Sequence, residues 1–321
     1  MAQHFLLSAK ARTLSLASVA RLSDEEATSL FAQLRWSDNE GKPYCPRCGC
    51  TTIYSYSARK LFKCKACQHQ FTVTSGTIFS SRKLAIRDIL LAIAIFANSA
   101  KGHSALQLSR DLDVQYKTAF VLAHKIREAI AAENPNHVAS GEVEIDGAYF
   151  GGYVKPKNNK EDRVDRRLAK NQNGKRRSVI VIREHKGKVM TFVTKTEDAS
   201  LDVIRTRVVE GSTIHADEAT HWDRLHAHFD MHRINHSQSY SDGDACTNLA
   251  ESFFSRLRRA EIGTHHHIAG PYLAAYADEM SWRENHRDVS NGQQYQLMTA
   301  AAARHVVSVR WCGYWQRRKA A

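Results

Sequence analysis

Three carboxylates occupy positions at which the chain could assemble a divalent-cation site. Asp146 follows the apolar residues of the strand-like stretch VEID, Asp217 closes a second such stretch, STIHAD, and Glu251 lies in the helical run TNLAESFFSRLRRA. An aspartate that closes a strand is more often a turn former or a helix cap, so neither aspartate indicates a metal site on its own. If the two strands are neighbours and the helix packs across them, three oxygen ligands converge, as Mg²⁺ or Mn²⁺ requires.

The helix that carries Glu251 has an apolar stripe and a polar face. Leu249, Phe253 and Leu257 recur at helical spacing, whereas Glu251 and Arg258 fall on the neighbouring polar side. Arg258 lies two turns after Glu251 on that side, where a cation could hold a phosphate beside bound metal ions. Taken alone, the same pattern describes an amphipathic surface helix with a chance carboxylate.

A second candidate metal site comes from cysteines. Two C-x-x-C knuckles, separated by fifteen residues, are formed by Cys45, Cys48, Cys64 and Cys67. This spacing is typical of a four-thiolate tetrahedral zinc site, and the strand-like residues between and after the knuckles predict a zinc ribbon. A ribbon this small folds on its metal, so the zinc is structural. Cys50 and His69 lie close enough to compete as ligands, but a spare cysteine and a surface histidine are the simpler interpretation.

Residues 85–132 have the periodicity of helices. In QLSRDLDVQYKTAFVLAHKIR one helix is followed by a tight connection at Asp111 to Val114 and by a second helix that starts near Gln115. This is the layout of a helix-turn-helix, whose second helix presents its first residues to the major groove of DNA. The alternative is a three-helix linker without DNA contact. The residues expected to contact DNA are Gln115, Tyr116, Lys117, Lys125 and Arg127.

The chain is strongly basic, with a formal net charge of +13 over 321 residues. Such an excess of Lys and Arg indicates a polyanionic partner. We expect nucleic acid rather than a membrane, because the sequence has neither a basic amphipathic helix nor a lipid anchor. The longest apolar run, Ile89 to Ala97, is too short to span a bilayer, and the N-terminus has no cleavable hydrophobic segment. We therefore predict a cytoplasmic, nucleoid-associated protein with reduced cysteines.

The order of these patterns predicts a multi-domain α+β or α/β protein. From Gly141 onward strands and helices alternate, interrupted by a basic segment, 153–177, that we interpret either as a loop facing the polyanion or as a solvated insertion. The predicted parts are an N-terminal helical segment (1–38), the ribbon (39–80), the helix-turn-helix module (81–135), a catalytic domain (140–290) and a basic C-terminal tail (291–321).

The motifs in combination resemble a known enzyme family. The two knuckles, the helix-turn-helix, EIDGAYFGG, HADEA, NLAESFFSRLRR and YADEMSWRENHR together resemble the DDE transposases of bacterial insertion sequences related to the eukaryotic Merlin elements, over roughly residues 25 to 290. The resemblance implies a ribonuclease H-like catalytic core whose first three strands are antiparallel. It maps the catalytic triad onto Asp146, Asp217 and Glu251, and the basic residue that follows the third carboxylate onto Arg258.

The resemblance also implies a reaction. Asp146 would bridge two Mg²⁺ or Mn²⁺ ions, Asp217 and Glu251 would bind one each, and Arg258 would steady a phosphate oxygen. The site would hydrolyse DNA at the transposon ends and then use the freed 3′-hydroxyl to attack target DNA. The ribbon and helix-turn-helix would locate the terminal inverted repeats, within a homodimer or a higher assembly. Two alternatives remain: a sequence-specific DNA-binding regulator with an inactive core, and a structure-selective nuclease that cuts without joining.

Overall fold

A computed structural model describes residues 5–133, 136–165, 168–171, 173–234, 241–242 and 245–317. The chain divides into two compact units. The first contains Met1–Glu133 and His286–Ala321, and the second contains Asn134–Asn285. Within the described ranges, every helix is too short or too polar to cross a membrane.

The first unit begins with helices and a small sheet. Its helices are α1 (Leu16–Ala20), α2 (Asp24–Arg35), α3 (Ile86–Asn98), α4 (Ala105–Asp111) and α5 (Tyr116–Ala131). Strands β1 (Ile53–Tyr56), β2 (Leu61–Cys64) and β3 (Gln70–Phe71) form an antiparallel sheet in that order. Ser23 and Glu26 form the capping box that starts α2. Trp36, directly after α2, is buried, and its ring lies 6.0 Å from that of Phe62 in the small sheet.

Helices α4 and α5 are joined by a short connection. Ser104 caps α4, because its hydroxyl accepts the backbone N–H of Gln107 at 3.1 Å. The connection passes through Asp113, which has a left-handed φ of 49°. Helix α5 then begins at Tyr116, one residue after the predicted start.

The second unit is built on a five-stranded mixed sheet. Its strands are β4 (Glu142–Phe150), β5 (Arg177–Glu184), β6 (Val189–Thr194), β7 (Thr213–Asp217) and β8 (Asp230–Ile234), and two short ones follow, β9 (Ser241–Asp242) and β10 (Ala245–Cys246). The order in the large sheet is β6-β5-β4-β7-β8. The first three strands are antiparallel to one another, whereas β4, β7 and β8 run parallel. Strand β8 ends at Ile234, and most of the predicted strand HRINHSQS lies outside the described residues.

The two faces of the large sheet are covered by different helices. Helix α6 (Leu201–Arg207) packs on the face that presents Val143 and Ile145 of β4. Helices α7 (Asn248–Ala260) and α8 (Leu273–Asn285) pack on the face that presents Ala148 and Phe150. Side chains along a strand alternate between faces, so Glu144 and Asp146 point to the α7 side.

The end of the chain returns to the first unit. Helix α9 (Asn291–Arg304) starts with a capping box and contacts α2, α3 and α5, and a short helix, α10 (Tyr314–Arg317), follows it. The prediction treated residues 291–321 as a basic tail, whereas the structure has a helix here with an apolar stripe that includes Tyr295, Met298 and Ala302. The stripe is buried in the helical core, which explains why this stretch is ordered. The coarse prediction of a mixed α and β protein with a small cysteine cluster is confirmed.

Candidate zinc site and candidate catalytic site

The structure brings the four predicted zinc ligands together in the small sheet. All four sulfurs lie within 4.8 Å of one another, and three of the Sγ–Sγ distances are 3.4 to 3.6 Å. A tetrahedral zinc site with Zn–S bonds of about 2.3 Å has edges of about 3.8 Å, so the cluster fits the ion. Cys50 is directed instead at the carbonyl oxygen of Thr52, and the ring of His69 stacks on Phe71. The knuckle cysteines alone therefore form the cluster.

The three predicted catalytic carboxylates come from β4, β7 and α7. Asp146 lies in the middle of β4, opposite Val181 of β5, rather than at the strand's end as predicted. The parallel ladder between β4 and β7 stops at Glu144 and His215, two residues before Asp146 and Asp217. Both aspartates are half-buried, on the face that α7 covers, and Glu251 is exposed in the first turn of α7.

The three carboxylates share one electrostatic environment. Burial, together with the negative charges of Asp217, Glu251 and Glu197, raises the pKa of Asp146 to about 7, against the opposing effect of the Gly147 N–H. Their oxygens are not as tightly gathered as the sulfurs of the zinc site. Among the described residues, the cysteine cluster is the one group of three or more ligands whose atoms all lie within 4.8 Å of one another.

Asp217 is held in place by the segment that follows β7. Its Oδ1 accepts the indole N–H of Trp222 at 2.8 Å and the backbone N–H of Ala219 at 3.2 Å. Arg233 of β8 fixes the same segment, because its guanidinium donates to the carbonyl oxygen of Asp217 at 2.6 Å and pairs with Asp223 at 2.8 Å. One carboxylate oxygen of Asp217 is therefore engaged by the protein.

A fourth carboxylate, Glu197, lies against Gly147 of β4 and was missed by the sequence reasoning. A Cβ at Gly147 would lie 2.6 Å from its side chain, so the glycine of the IDG motif makes room for it. Burial raises the pKa of Glu197, and the charge of Asp217 raises it further. His221 lies 3.5 Å from the carboxylate of Glu197. The one sequence signal was the acidic pair TEDA between a strand and a helix, which is also common in surface turns.

Comparison with known proteins identifies the family. Residues 138–285 match the ISXO2-like transposase domain, and residues 22–70 match the transposase zinc-ribbon domain. The chain belongs to the zinc-ribbon transposases of insertion sequences. A relative, described as an uncharacterized protein in transposable element ISH50 of Halobacterium salinarum, is 26% identical over 272 residues, which cover 79% of this chain and 90% of the relative. The chain is thus a transposase by family, and a structural zinc is the metal that its ribbon supports.

The residues predicted to contact DNA differ in their exposure in the transposase. Gln115, Tyr116 and Lys117 are exposed at the start of α5. Lys125 is half-buried, and burial lowers its pKa. Arg127 is fully buried and donates to the carbonyl oxygen of His103 at 3.3 Å. Its predicted contact with DNA does not fit this placement, because the side of α5 that carries Arg127 faces the helical core.

Other basic groups of the transposase are accessible. Arg258 is exposed on α7, on the polar side that also carries Glu251. The described part of the basic loop is exposed almost throughout, including Lys155, Lys157 and Lys160. The guanidinium of Arg176, where the loop rejoins the sheet, stacks over the ring of Tyr149 at 3.6 Å.

Proposed function

We propose that this transposase cuts DNA at the ends of its element and joins the freed 3′-hydroxyl to target DNA, with divalent ions held by Asp146, Asp217 and Glu251. The observation that carries the proposal is the electrostatic coupling of these carboxylates. Two strands and one helix contribute them separately, yet the charges of Asp217 and Glu251 raise the pKa of Asp146. Like charges gathered at a sheet surface disfavour folding unless a cation neutralises them.

The sheet order supports a ribonuclease H-like core. Three antiparallel strands followed by two parallel ones agree with the topology that the family resemblance implies. In this arrangement the central strand β4 carries the first carboxylate, and its neighbour β7 carries the second. Helix α7 crosses the same face and carries the third, with Arg258 two turns further along.

Each side chain has a distinct task in the proposed reaction. Asp146, Asp217 and Glu251 would hold Mg²⁺ or Mn²⁺, which would activate a water or a 3′-hydroxyl and neutralise the charge on the leaving oxygen. Burial and the neighbouring carboxylates raise the pKa of Asp146 to about 7, so a cation bound there near neutral pH would compete with a proton for this carboxylate. Trp222 and Ala219 orient Asp217 through one oxygen, which leaves the other available as a ligand. Arg258 is exposed on α7 and can steady a phosphate oxygen.

The first unit supplies DNA recognition in this proposal. Zinc holds the ribbon folded, and α4 and α5 act as a helix-turn-helix that presents Gln115, Tyr116 and Lys117 to the terminal inverted repeats. Lys125 and the basic loop add salt-dependent contacts with phosphates. Pairing two ends requires a homodimer or a higher assembly, and the proposed location is the cytoplasm, at the nucleoid.

The decisive experiment is cleavage and strand transfer on a labelled duplex that carries the element's own ends, with Mg²⁺ or Mn²⁺. Asp146→Asn should abolish cleaved and joined products while DNA binding persists. Asp278→Asn is the matched control, because Asp278 is also half-buried and has a pKa raised to about 6 by burial, but it pairs with Thr191. Cleavage without joining would favour a nuclease, and specific binding without cleavage by the wild type would favour a regulator.

A further inference from the structure

Helix α7 is capped from outside its own sequence. The side chain of Thr247, which precedes the helix, does not form a capping hydrogen bond. Instead, the backbone N–H of Ala250 donates to Oε2 of Glu144 at 2.9 Å. The first N–H groups of a helix lack partners within the helix and attract negative charge, so a carboxylate stabilises this end.

The capping carboxylate comes from the strand that carries the first catalytic aspartate. Glu144 and Asp146 are two residues apart on β4, so their side chains point to the same face of the sheet. Ala250, which Glu144 binds, directly precedes Glu251 on α7. Glu144 therefore links the backbone that carries the first ligand to the backbone that carries the third.

Glu144 is itself fully buried and held from the other side. Its Oε1 lies 3.0 Å from Nε2 of His185, a contact that lacks hydrogen-bond alignment. Nδ1 of the same histidine lies 3.0 Å from Glu142, the first residue of β4. A buried carboxylate needs partners to offset its lost hydration, and here these are a histidine and the start of α7. Being buried, Glu144 cannot reach DNA.

We propose that Glu144 is a positioning residue, which fixes the first turn of α7 so that Glu251 stays within reach of Asp146. The inference rests on the proposed function for the role of Glu251. Without the cap, the first turn of α7 frays, and Glu251, which lies in that turn, loses its fixed orientation. The ligand set is then assembled only at a higher concentration of divalent ion.

Two variants separate the cap from the charge. Glu144→Leu keeps a similar shape and removes the acceptor, whereas Glu144→Gln keeps an oxygen that can accept the Ala250 N–H. The matched control is Ser281→Ala. Ser281 lies on α8, away from the first turn of α7, and the change removes its buried hydrogen bond to the carbonyl oxygen of Val189 on β6.

Two measurements on the full chain test the inference. Residue-resolved hydrogen exchange should show the amides of Leu249 and Ala250 exchanging at least about tenfold faster in Glu144→Leu, with little change at Leu257 near the other end of α7. The Mn²⁺ concentration that gives half-maximal cleavage should rise about tenfold in Glu144→Leu and about threefold in Glu144→Gln. In Ser281→Ala the Mn²⁺ concentration for half-maximal cleavage should equal that of the wild type.

The outcomes are distinguishable from failure of the proposed function. Wild-type exchange at Ala250 in Glu144→Leu would overturn the inference, as would faster exchange with an unchanged Mn²⁺ requirement, and both leave the proposed function intact. Absence of cleavage by the wild-type protein would overturn the proposed function and the role of Glu251 with it. If Glu144→Leu fails to fold, equality of Glu144→Gln and the wild type in both measurements overturns the inference.

Discussion

Replacing Asp146 by Asn should stabilise the second unit at alkaline pH while it abolishes cleavage. The pKa of Asp146 is raised to about 7 by burial and by the charges of Asp217, Glu251 and Glu197. The ionised carboxylate therefore opposes folding, whereas an asparagine carries no charge. Its side-chain oxygen can still accept the backbone N–H of Gly147, which Oδ1 of the aspartate accepts at 2.7 Å. The change thus removes the charge and keeps the hydrogen bond.

The size and the pH window of this gain follow from the same pKa. Raising the pKa of an aspartate from 3.8 to about 7 corresponds to about 4 kcal/mol between its two ionisation states. Asp146 is partly exposed, so solvent screening reduces the expected gain to about 1 to 3 kcal/mol. The folded state keeps its proton to a higher pH than the unfolded state, so wild-type stability falls as the pH rises from about 4 to about 7. The gain is absent below this window and complete above it.

Urea-dependent hydrogen exchange of peptides from β4 and β5 measures the unfolding free energy of this unit within the full chain. Without added divalent ions, the unfolding free energy of Asp146→Asn should exceed that of the wild type by a larger margin near pH 8.5 than near pH 5. Added Mg²⁺ should stabilise the wild type and the control Asp278→Asn but leave Asp146→Asn unchanged, since only a ligand that binds the folded state shifts its stability. Equal stability of Asp146→Asn and the wild type near pH 8.5 would refute the reasoning.

Three further outcomes are expected. Cys64→Ser should abolish zinc binding, measured per chain by native mass spectrometry, and should speed hydrogen exchange across residues 45–71. Hydrogen exchange in the second unit should not change. Retained zinc would contradict the four-thiolate site. Trp222→Phe should raise the Mn²⁺ requirement of cleavage about threefold to tenfold, because a hydrogen bond that orients Asp217, worth about 1 kcal/mol, is lost; an unchanged requirement would show that Asp217 needs no such orientation. Lys117→Ala should weaken binding to DNA that carries the element's ends, and should lower the slope of log affinity against log salt concentration by about one. Arg127→Ala should instead lower the melting temperature of the protein. The reverse pattern would show that Arg127 binds DNA and that Lys117 stabilises the fold.

The zinc site was predictable because its geometry is local. Each C-x-x-C knuckle delivers two sulfurs from one turn, so only the pairing of the two knuckles depends on the fold. The carboxylate site was harder to predict than the zinc site. A period-two pattern of apolar residues places Asp146 and Asp217 on strands, but it does not show that those strands are neighbours. The prediction also placed the end of β4 too early, at Asp146. The alternation of side chains between the two faces continues through Ala148 and Phe150, which pack beneath α7, so the strand extends past Asp146.

The features that sequence reasoning missed all depend on tertiary packing. Glu197 acts across the sheet on Asp146, and Glu144 acts on a helix more than a hundred residues later in the chain. Each is a single acidic residue in a stretch whose pattern has a simpler explanation. Arg127 shows the opposite case, since a charged residue on a helix is usually exposed but here lies in the core beneath Phe96.

The discontinuity of the first unit sets an order for folding on the ribosome. The second unit is complete once residue 285 has been made, but the first must wait for α9, whose buried Tyr295 and Met298 close its helical core. At about 5 to 20 residues per second, roughly ten to thirty seconds separate Glu133 from the end of α9. During that interval the apolar faces of α2, α3 and α5 lack their last partner. A chain released early would therefore contain a folded second unit and an incomplete first unit. Chaperones and proteases would act on the incomplete first unit before the folded second one.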